Sequence, residues 1–415
     1  MTVKTEARPV TSDHDQGLAI AHELAEAAIW HGPLCTFQGA VPADEIGLPP
    51  LQTTTGGDVY EGSAGIARFL LLASRFDDDL RLVETAQGAL RHALSNANGA
   101  SLYSGVPGAA IVALEADWPQ IRSDAMAMLA EAAAAASNEA DPPMDLLSGH
   151  AGLIVGLVAV SRSDPSGPWA DLAAALGHQV VDAGRADGDG LSWPVAPGQD
   201  DHLCGLAHGA AGLAYAMDRL LELAPDAGPW RDTAHRARRF ERAWYSPEHG
   251  SWADLRSDAM GPEAEPGYPH MWCHGSIGIA ADRLVADASD ILARADRVAA
   301  LEGVLASTRD ALAGPRGPGG SDAINGSQCH GLSGVSDLMI DAWRLSGQKI
   351  WLDMAAACSA AIRDDARRPE GWRCGVPGGH YSPGLMLGVA GIGWSLMRTA
   401  HPDTVPSAWK IGGLL

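Results

Sequence analysis

The hydrophobic residues of this chain follow a helical period through most of its length. Stretches with apolar residues at i, i+3, i+4 and i+7 predict amphipathic helices over 17–30, 80–95, 123–137, 169–183, 231–244, 293–313 and 350–366. Shorter and more uniformly apolar helical runs lie between them, for example 66–72, 153–160, 213–223, 335–345 and 392–397. Because a helix that is apolar all round is usually buried, the chain is predicted to alternate outer and inner helices.

A Gly-x-x-Gly unit precedes each inner run and recurs seven times. The glycine pairs are Gly62/Gly65, Gly105/Gly108, Gly149/Gly152, Gly209/Gly212, Gly275/Gly278, Gly331/Gly334 and Gly388/Gly391. Seven helical hairpins could form an open superhelix or a closed ring. Buried inner helices favour the ring, so we predict an all-α protein, an α/α toroid with seven inner and seven outer helices. The glycines would then give room where helix starts converge, either by lacking a Cβ or by adopting positive φ.

The wider spacings between units predict insertions. Residues 186–202 are typical of turns around a short β-ribbon, while 245–270, 314–327 and 367–383 are predicted loops rich in Gly and Pro. Long loops that end at one rim commonly form functional sites. No linker divides the sequence, so we expect one domain over residues 1–415.

Composition excludes several partners. The net charge of -22 argues against a nucleic acid or an anionic membrane surface, and no apolar run reaches the length of a membrane span. The sequence contains no pattern typical of a secretory signal. Six cysteines in 415 residues do not suggest a disulfide framework. A cytoplasmic location, where thiols stay reduced, is therefore predicted.

Two cysteine-histidine pairs carry the first candidate chemistry. Cys273-His274 and Cys329-His330 stand directly before the first glycines of the fifth and sixth units. In a ring these units are neighbours, so Cys273, Cys329 and His330 could provide two thiolates and one imidazole to zinc. Three protein ligands leave the fourth position open, as in catalytic zinc sites. The alternative is that the cysteines are packing residues and the histidines are helix caps, and spacing alone leaves both open.

Two further residues could act in acid-base chemistry. His208, in Gly-Leu-Ala-His-Gly, occupies the repeat position of His274 and His330 and could transfer protons or cap a helix. Asp145 lies four residues before the third unit. It could orient a histidine or a substrate amide, or cap its own helix start.

The ordered set of seven units, with its Gly-Leu-Ala-His-Gly, Trp-Cys-His-Gly and Cys-His-Gly motifs, resembles the LanC-type lanthipeptide cyclases over essentially the whole chain. The resemblance implies an α/α toroid with Zn²⁺ held by Cys273, Cys329 and His330. It also implies that His208 is the acid/base and that Asp145 takes part in catalysis. Family members often carry an arginine four residues before the first cysteine ligand. Pro269 stands there in this chain, so that role is unfilled or falls to His270 or His274.

The resemblance further implies a function. A zinc-dependent cyclase of this kind adds peptide cysteine thiols to dehydroalanine or dehydrobutyrine and forms (methyl)lanthionine rings. Its substrate would be a dehydrated precursor peptide with leader and core segments. The chain lacks a kinase Gly-rich loop with its lysine and any added dehydration domain, so a separate dehydratase is expected. A monomer is expected as well. The alternatives are addition of glutathione to dehydroamino acids and a non-catalytic peptide-binding scaffold.

Overall fold

A computed structural model describes residues 12–41, 50–116, 118–195, 198–199, 201–224, 228–256, 265–287, 289–314 and 325–411. These ranges contain fourteen α-helices: α1 Asp13–Ala27, α2 Ser63–Ala73, α3 Leu80–Asn96, α4 Val106–Ala116, α5 Pro119–Ala136, α6 His150–Ser163, α7 Trp169–Ala183, α8 Ala210–Leu223, α9 Trp230–Arg242, α10 Ser276–Val285, α11 Ile291–Ala313, α12 Leu332–Ser346, α13 Lys349–Asp365 and α14 Val389–Ala400.

The inner helices form a closed ring. They are α2, α4, α6, α8, α10, α12 and α14; each packs against the next, and α14 returns to α2. The first eight residues of α4 are all buried, whereas α5 on the outside buries Ile121, Ala125, Leu129 and Ala133, one residue per turn. The predicted all-α toroid is confirmed, and the apolar and amphipathic patterns separate its inner and outer layers.

The observed pairs of inner and outer helices differ from the pairs that the order of the repeat suggests. Each inner helix up to α12 packs most extensively on the outer helix that follows it in sequence, and α14 packs on α1. Helix α1 is therefore the outer helix of the seventh unit, although it precedes the first. The contact is close, because a Cβ on Gly17 of α1 would lie 2.6 Å from Cγ of Met397. The two ends of the chain thus close the ring together.

Backbone hydrogen bonds link the turns that precede the inner helices. For six of the seven neighbouring pairs, N–H groups of one turn donate to a carbonyl oxygen of the next turn around the ring. The N···O distances are 3.0 Å for Tyr60 to Tyr103, 3.0 Å for Leu147 to Ala207, 3.3 Å for Ala207 to Cys273, 2.7 Å for Trp272 to Cys329, 3.0 Å for Cys329 to Met386 and 2.8 Å for Met386 to Tyr60. The last bond returns to the first unit, so these turns form a rim whose residues are held at fixed positions.

The second glycine of every unit is required by close approach of the backbone. A Cβ there would overlap a carbonyl oxygen of the preceding turn, namely that of Val59, Leu102, Leu146, Leu206, Trp272, Gln328 or Leu385. Of the first glycines, Gly275 alone has positive φ, at 88°. The predicted steric role is therefore correct, whereas positive φ applies to one unit.

The described residues include four antiparallel hairpins, two of which lie between α1 and α2 and two within predicted insertions. Residues Arg185–Asp187 (β5) and Gly190–Ser192 (β6) form the predicted ribbon. The other strands are β1 Ile29–His31, β2 Leu34–Thr36, β3 Gln38–Val41, β4 Leu51–Thr54, β7 Tyr245–Ser246 and β8 Ser251–Trp252. The predicted loop 314–327 lies mostly outside the described residues, and the single domain stays a prediction.

Candidate metal and catalytic site at the glycine rim

The rim brings the two candidate cysteines together. Cys273 and Cys329 each stand two residues before a first glycine, and Trp272 N–H donates to the Cys329 carbonyl. Their thiols influence each other's pKa, as neighbouring side chains do. Cys329 is buried and Cys273 is partly exposed. The fifth and sixth units are thus neighbours, as a closed ring predicts.

The pKa values of the two thiols are shifted in opposite directions. Interaction with the Cys329 thiol holds the pKa of Cys273 below its usual value despite burial, and the charges of His208 and Arg256 act in the same direction. The same interaction, together with burial, raises the pKa of Cys329. Cys273 is therefore the first of the pair to ionise. Its thiolate is the form that binds a soft metal.

His330 is oriented by a carbonyl group from another loop. Its Nε2 lies 2.9 Å from the oxygen of Gly375 and donates to it. This partner assigns the proton to Nε2 and leaves Nδ1 with a free lone pair, the arrangement in which ligating histidines are usually held. Burial lowers the pKa of His330 and keeps the ring neutral. Gly375 itself is confined, because a Cβ there would lie 3.0 Å from His330 Nε2.

The donor set fits zinc in its chemistry. Two adjoining sulfurs and a neutral imidazole with a second-shell partner are ligands that zinc prefers. Across the described ranges, no three His, Cys, Asp or Glu side chains are gathered closely enough to enclose an ion. The zinc site therefore stays a prediction.

Asp145 and His208 form a pair on the neighbouring part of the rim. His208 Nδ1 lies 2.8 Å from Asp145 Oδ2, and the backbone N–H of Ser148 donates to Asp145 Oδ1 at 2.6 Å. Asp145 thus does both things that its position allowed: it orients a histidine and it caps its own turn. The carboxylate is buried, while the His208 side chain is 28% exposed. The exposed imidazole can exchange a proton through Nε2.

A buried carboxylate fixes the turn that carries His208. Glu241 Oε1 accepts from the backbone N–H groups of Gly205 and Ala211, each at 3.0 Å. Its other oxygen accepts from Arg283 Nη2 at 2.6 Å. The hydrogen bonds lie on both sides of His208, so helix α9 holds the turn from outside the ring.

His274 and His270 occupy different environments. The His274 ring stacks on His208, with centroids 5.7 Å apart and planes 26° apart. Burial, with the nearby charge of Arg256, lowers the pKa of His274 to about 3, so this ring is neutral beside His208. His270 Nδ1 instead lies 2.6 Å from Ser276 Oγ. His274 is therefore near the predicted acid/base, and His270 is tied to a helix start.

Sequence reasoning missed Arg256. It lies in the loop after β8, and its Nη2 is 2.6 Å from Oδ2 of Asp254. Its positive charge acts on both Cys273 and His274. No motif marked it, because the residue lies in an insertion outside the glycine units.

The fold and the rim define a class of protein, an α/α toroid with thiol and imidazole side chains gathered on its glycine rim. A family model described as lanthionine synthetase C-like protein matches residues 53–409. This match covers most of the sequence, and the chain belongs to the lanthionine synthetase C-like family.

Solved structures share the fold. Nisin cyclase is similar with a TM-score of 0.65 at 15% identity, over 96% of each chain. The Lin0763 protein from Listeria innocua is similar with a TM-score of 0.50 at 10% identity, over 94% of this chain and 97% of that one. No curated protein sequence matches the chain. In the described part of the chain, every helix is too short or too polar to cross a bilayer.

Proposed function

We propose that the protein is a lanthipeptide cyclase, which adds cysteine thiols of a dehydrated peptide to its dehydroalanine or dehydrobutyrine residues. The observation that carries this proposal is the convergence, on adjacent rim turns, of the Cys273–Cys329 thiol pair and the Asp145-oriented His208. Membership of the lanthionine synthetase C-like family supports it.

Cys273, Cys329 and His330 are the residues that would hold zinc. Zinc, when bound, would keep a substrate thiol ionised at neutral pH, where a free thiol is mostly protonated. The partial exposure of Cys273 leaves this part of the rim open to a peptide.

His208 would move the proton that the addition requires. The new bond joins the substrate sulfur to Cβ of the dehydro residue, and the C=C electron pair moves to Cα and the neighbouring carbonyl. The thiol proton must then reach Cα, so the reaction transfers one proton and needs no oxidant. Asp145 holds His208 Nδ1, which leaves Nε2 to carry that proton. The fixed positive charge of Arg256 would favour the enolate in the transition state.

Thiol alkylation followed by mass spectrometry tests the function. The substrate is a dehydrated peptide with cysteine, incubated with the protein and one equivalent of zinc. We expect free thiols to disappear while the peptide mass stays constant, because an addition within one molecule does not change its elemental composition. Loss of free thiols no faster than in the enzyme-free sample would contradict the proposal.

A second arm separates the cyclase from addition of glutathione. It uses a dehydrated peptide without cysteine and free glutathione. A cyclase is expected to leave this peptide largely unmodified. A fast increase in mass by one glutathione, with no ring formation in the first arm, would replace the proposed substrate.

A further inference from the structure

A side chain four residues before the first glycine caps the turn in four of the seven units. The four residues are Asp58, Ser101, Asp145 and Ser327. In each unit the side-chain oxygen accepts from the backbone N–H directly before the first glycine, at 2.8, 3.3, 2.6 and 3.3 Å respectively. These four turns are therefore held by a residue of their own.

The turn that carries His208 has no side chain at this position. The residue there is Gly205, whose φ is 104°. A Cβ on Gly205 would lie 2.9 Å from the Cys273 carbonyl oxygen and 3.2 Å from Cα of His274. Ala207 N–H also donates to the Cys273 carbonyl, at 3.3 Å. The glycine therefore allows the His208 turn to pack directly against the backbone of Cys273 and His274.

Glu241 holds this turn from the last turn of the outer helix α9. Its Oε1 accepts from the N–H groups of Gly205 and of Ala211, the second residue of α8, each at 3.0 Å. Its Oε2 accepts from Nη2 of Arg283 in α10 at 2.6 Å, and both side chains are fully buried. Because α8 and α10 belong to the fourth and fifth units, one carboxylate links these two units.

The seventh unit shows the same replacement. Gly384 stands four residues before its first glycine, and a Cβ there would lie 2.7 Å from Cδ of Glu61. Glu61 comes from the first unit and accepts from the backbone N–H of Leu387 at 2.6 Å. Where the capping position is glycine in these two units, a glutamate from another part of the chain therefore accepts from the turn.

We propose that Glu241 is a positioning residue that holds His208 at a fixed distance from Cys273 and His274. Its carboxylate acts through backbone N–H groups on both sides of His208, so it places the turn and moves no proton itself. Proton transfer depends steeply on the placement of the transferring group, and a shift of about 1 Å can slow a reaction strongly. The inference rests on the proposed function and adds an outer-helix residue that the rim motifs do not contain.

Steady-state cyclisation of a dehydrated peptide tests the inference with wild type, Glu241→Gln and the matched control Glu115→Gln. An amide has one oxygen, so Glu241→Gln leaves either Arg283 or the two backbone N–H groups without an acceptor. We expect kcat to fall by about tenfold or more, while KM and zinc content stay at the wild-type values. Glu115 lies in the last turn of α4 and pairs with the buried Arg68 at 2.9 Å. Glu115→Gln should therefore keep all three values, although it also loses an ion pair.

Hydrogen exchange gives a second readout that does not depend on activity. Peptides that cover residues 205–211 should exchange faster in Glu241→Gln than in wild type, and should be unchanged in Glu115→Gln. Gly205→Ala should reproduce the loss of kcat, because its Cβ would push the turn away from Cys273. Gly188→Ala is the control, since this glycine also has positive φ but nothing lies within 4 Å of a Cβ there.

Four results would overturn the inference. A wild-type kcat in Glu241→Gln would mean that the placement of this turn does not limit the reaction, while the proposed function would stand. Unchanged exchange in Glu241→Gln would mean that the carboxylate does not hold the turn. An equal fall of kcat in Glu115→Gln would assign the effect to the loss of buried charge pairs in general. A wild-type protein that forms no rings would remove the proposed function and this inference with it.

Discussion

At the scale of single residues, His208 and His330 of the rim are each oriented by one hydrogen-bond partner. Asp145 restricts His208 to one tautomer, and the Gly375 carbonyl does the same for His330 with the opposite nitrogen. One imidazole therefore presents Nε2 and the other presents Nδ1. The same side chain, at the same position of two repeats, is thus oriented in two ways, which suit the proposed proton transfer in one case and the proposed metal binding in the other.

The first pair gives a direct test of proton transfer. His208→Asn should keep zinc binding and slow cyclisation by about a hundredfold or more, because the group that moves the proton is lost. Asp145→Asn should have a smaller effect, since an amide oxygen can still accept from Nδ1. Metal content and initial rates, measured on both variants, check the order. A wild-type rate in His208→Asn would exclude the role.

The carbonyl of Gly375 gives a second test. In Gly375→Ala the added Cβ would lie 2.8 Å from Ser327 Cβ and 3.0 Å from His330 Nε2, so the histidine must move. Zinc affinity should fall by roughly tenfold. Gly267→Ala is the control, because nothing lies within 4 Å of a Cβ there. Equal affinities in the two variants would show that the Gly375 contact does not position a ligand.

At the scale of elements, the glycine turn decides how closely an inner helix approaches its own preceding loop. Gly152 lies in the first turn of α6, where a Cβ would overlap the carbonyl oxygen of Leu146. Gly156 lies one turn later, and its nearest neighbour would be Pro107 Cβ at 3.3 Å. An alanine side chain would therefore overlap the backbone at position 152, but would only make a tight side-chain contact at position 156.

This difference predicts unequal losses of stability. Gly152→Ala should lower the free energy of unfolding by about 2 kcal/mol or more, since backbone must shift to relieve the overlap. Gly156→Ala should be near neutral, because a tight side-chain contact is offset by the better helix propensity of alanine. Urea unfolding of both variants measures the two values. Similar urea midpoints for the two variants would mean that close backbone approach does not explain the repeated glycine.

The docking of α1 is a separate prediction at this scale. Gly17 faces α14, so Gly17→Val should separate the two helices and lower the melting temperature, with little change at the distant cysteine pair. Thermal unfolding followed by circular dichroism gives the shift. A melting temperature equal to that of wild type would place α1 outside the cooperative ring.

The sequence predicted the positions of the helices better than it predicted which helices pack together. The helical period located α7 at the residues observed, and the recurring glycines located the rim. Periodicity could not reveal that α1 packs on α14, because every outer helix has the same pattern and only ring closure distinguishes its neighbours. Arg256 and Gly375 were missed for a related reason. Their roles depend on contacts between units or with insertions, which a motif within one unit does not encode.

At the scale of the whole molecule, one buried carboxyl group joins the first and last units. Glu61 accepts hydrogen bonds from Ser382 Oγ and from the backbone N–H of Leu387, both at 2.6 Å. Burial raises the pKa of Glu61 from its ordinary 4.5 to about 8. The group is therefore neutral in the closed ring at pH values where it would ionise in an unfolded chain.

This pKa predicts how ring stability depends on pH. Because the folded pKa lies above the unfolded one, the contribution of Glu61 is complete below pH 4.5 and is lost as pH rises toward about 8. The free energy of unfolding of wild type should fall relative to Glu61→Gln between pH 5 and 8, by on the order of a few kcal/mol. Urea unfolding of both proteins at the two pH values measures it. Parallel pH profiles would contradict the assignment.

In the proposed mechanism, thioether formation depends on the Cys273–Cys329 pair. The most direct test of this dependence is the rate at which a dehydrated peptide loses its thiols in the presence of wild type, Cys329→Ala and Cys358→Ala. Cys358 is buried in the outer helix α13 and serves as a matched control. We predict that Cys329→Ala falls to the enzyme-free rate while Cys358→Ala stays near wild type. Cyclisation by Cys329→Ala at the wild-type rate would contradict this dependence.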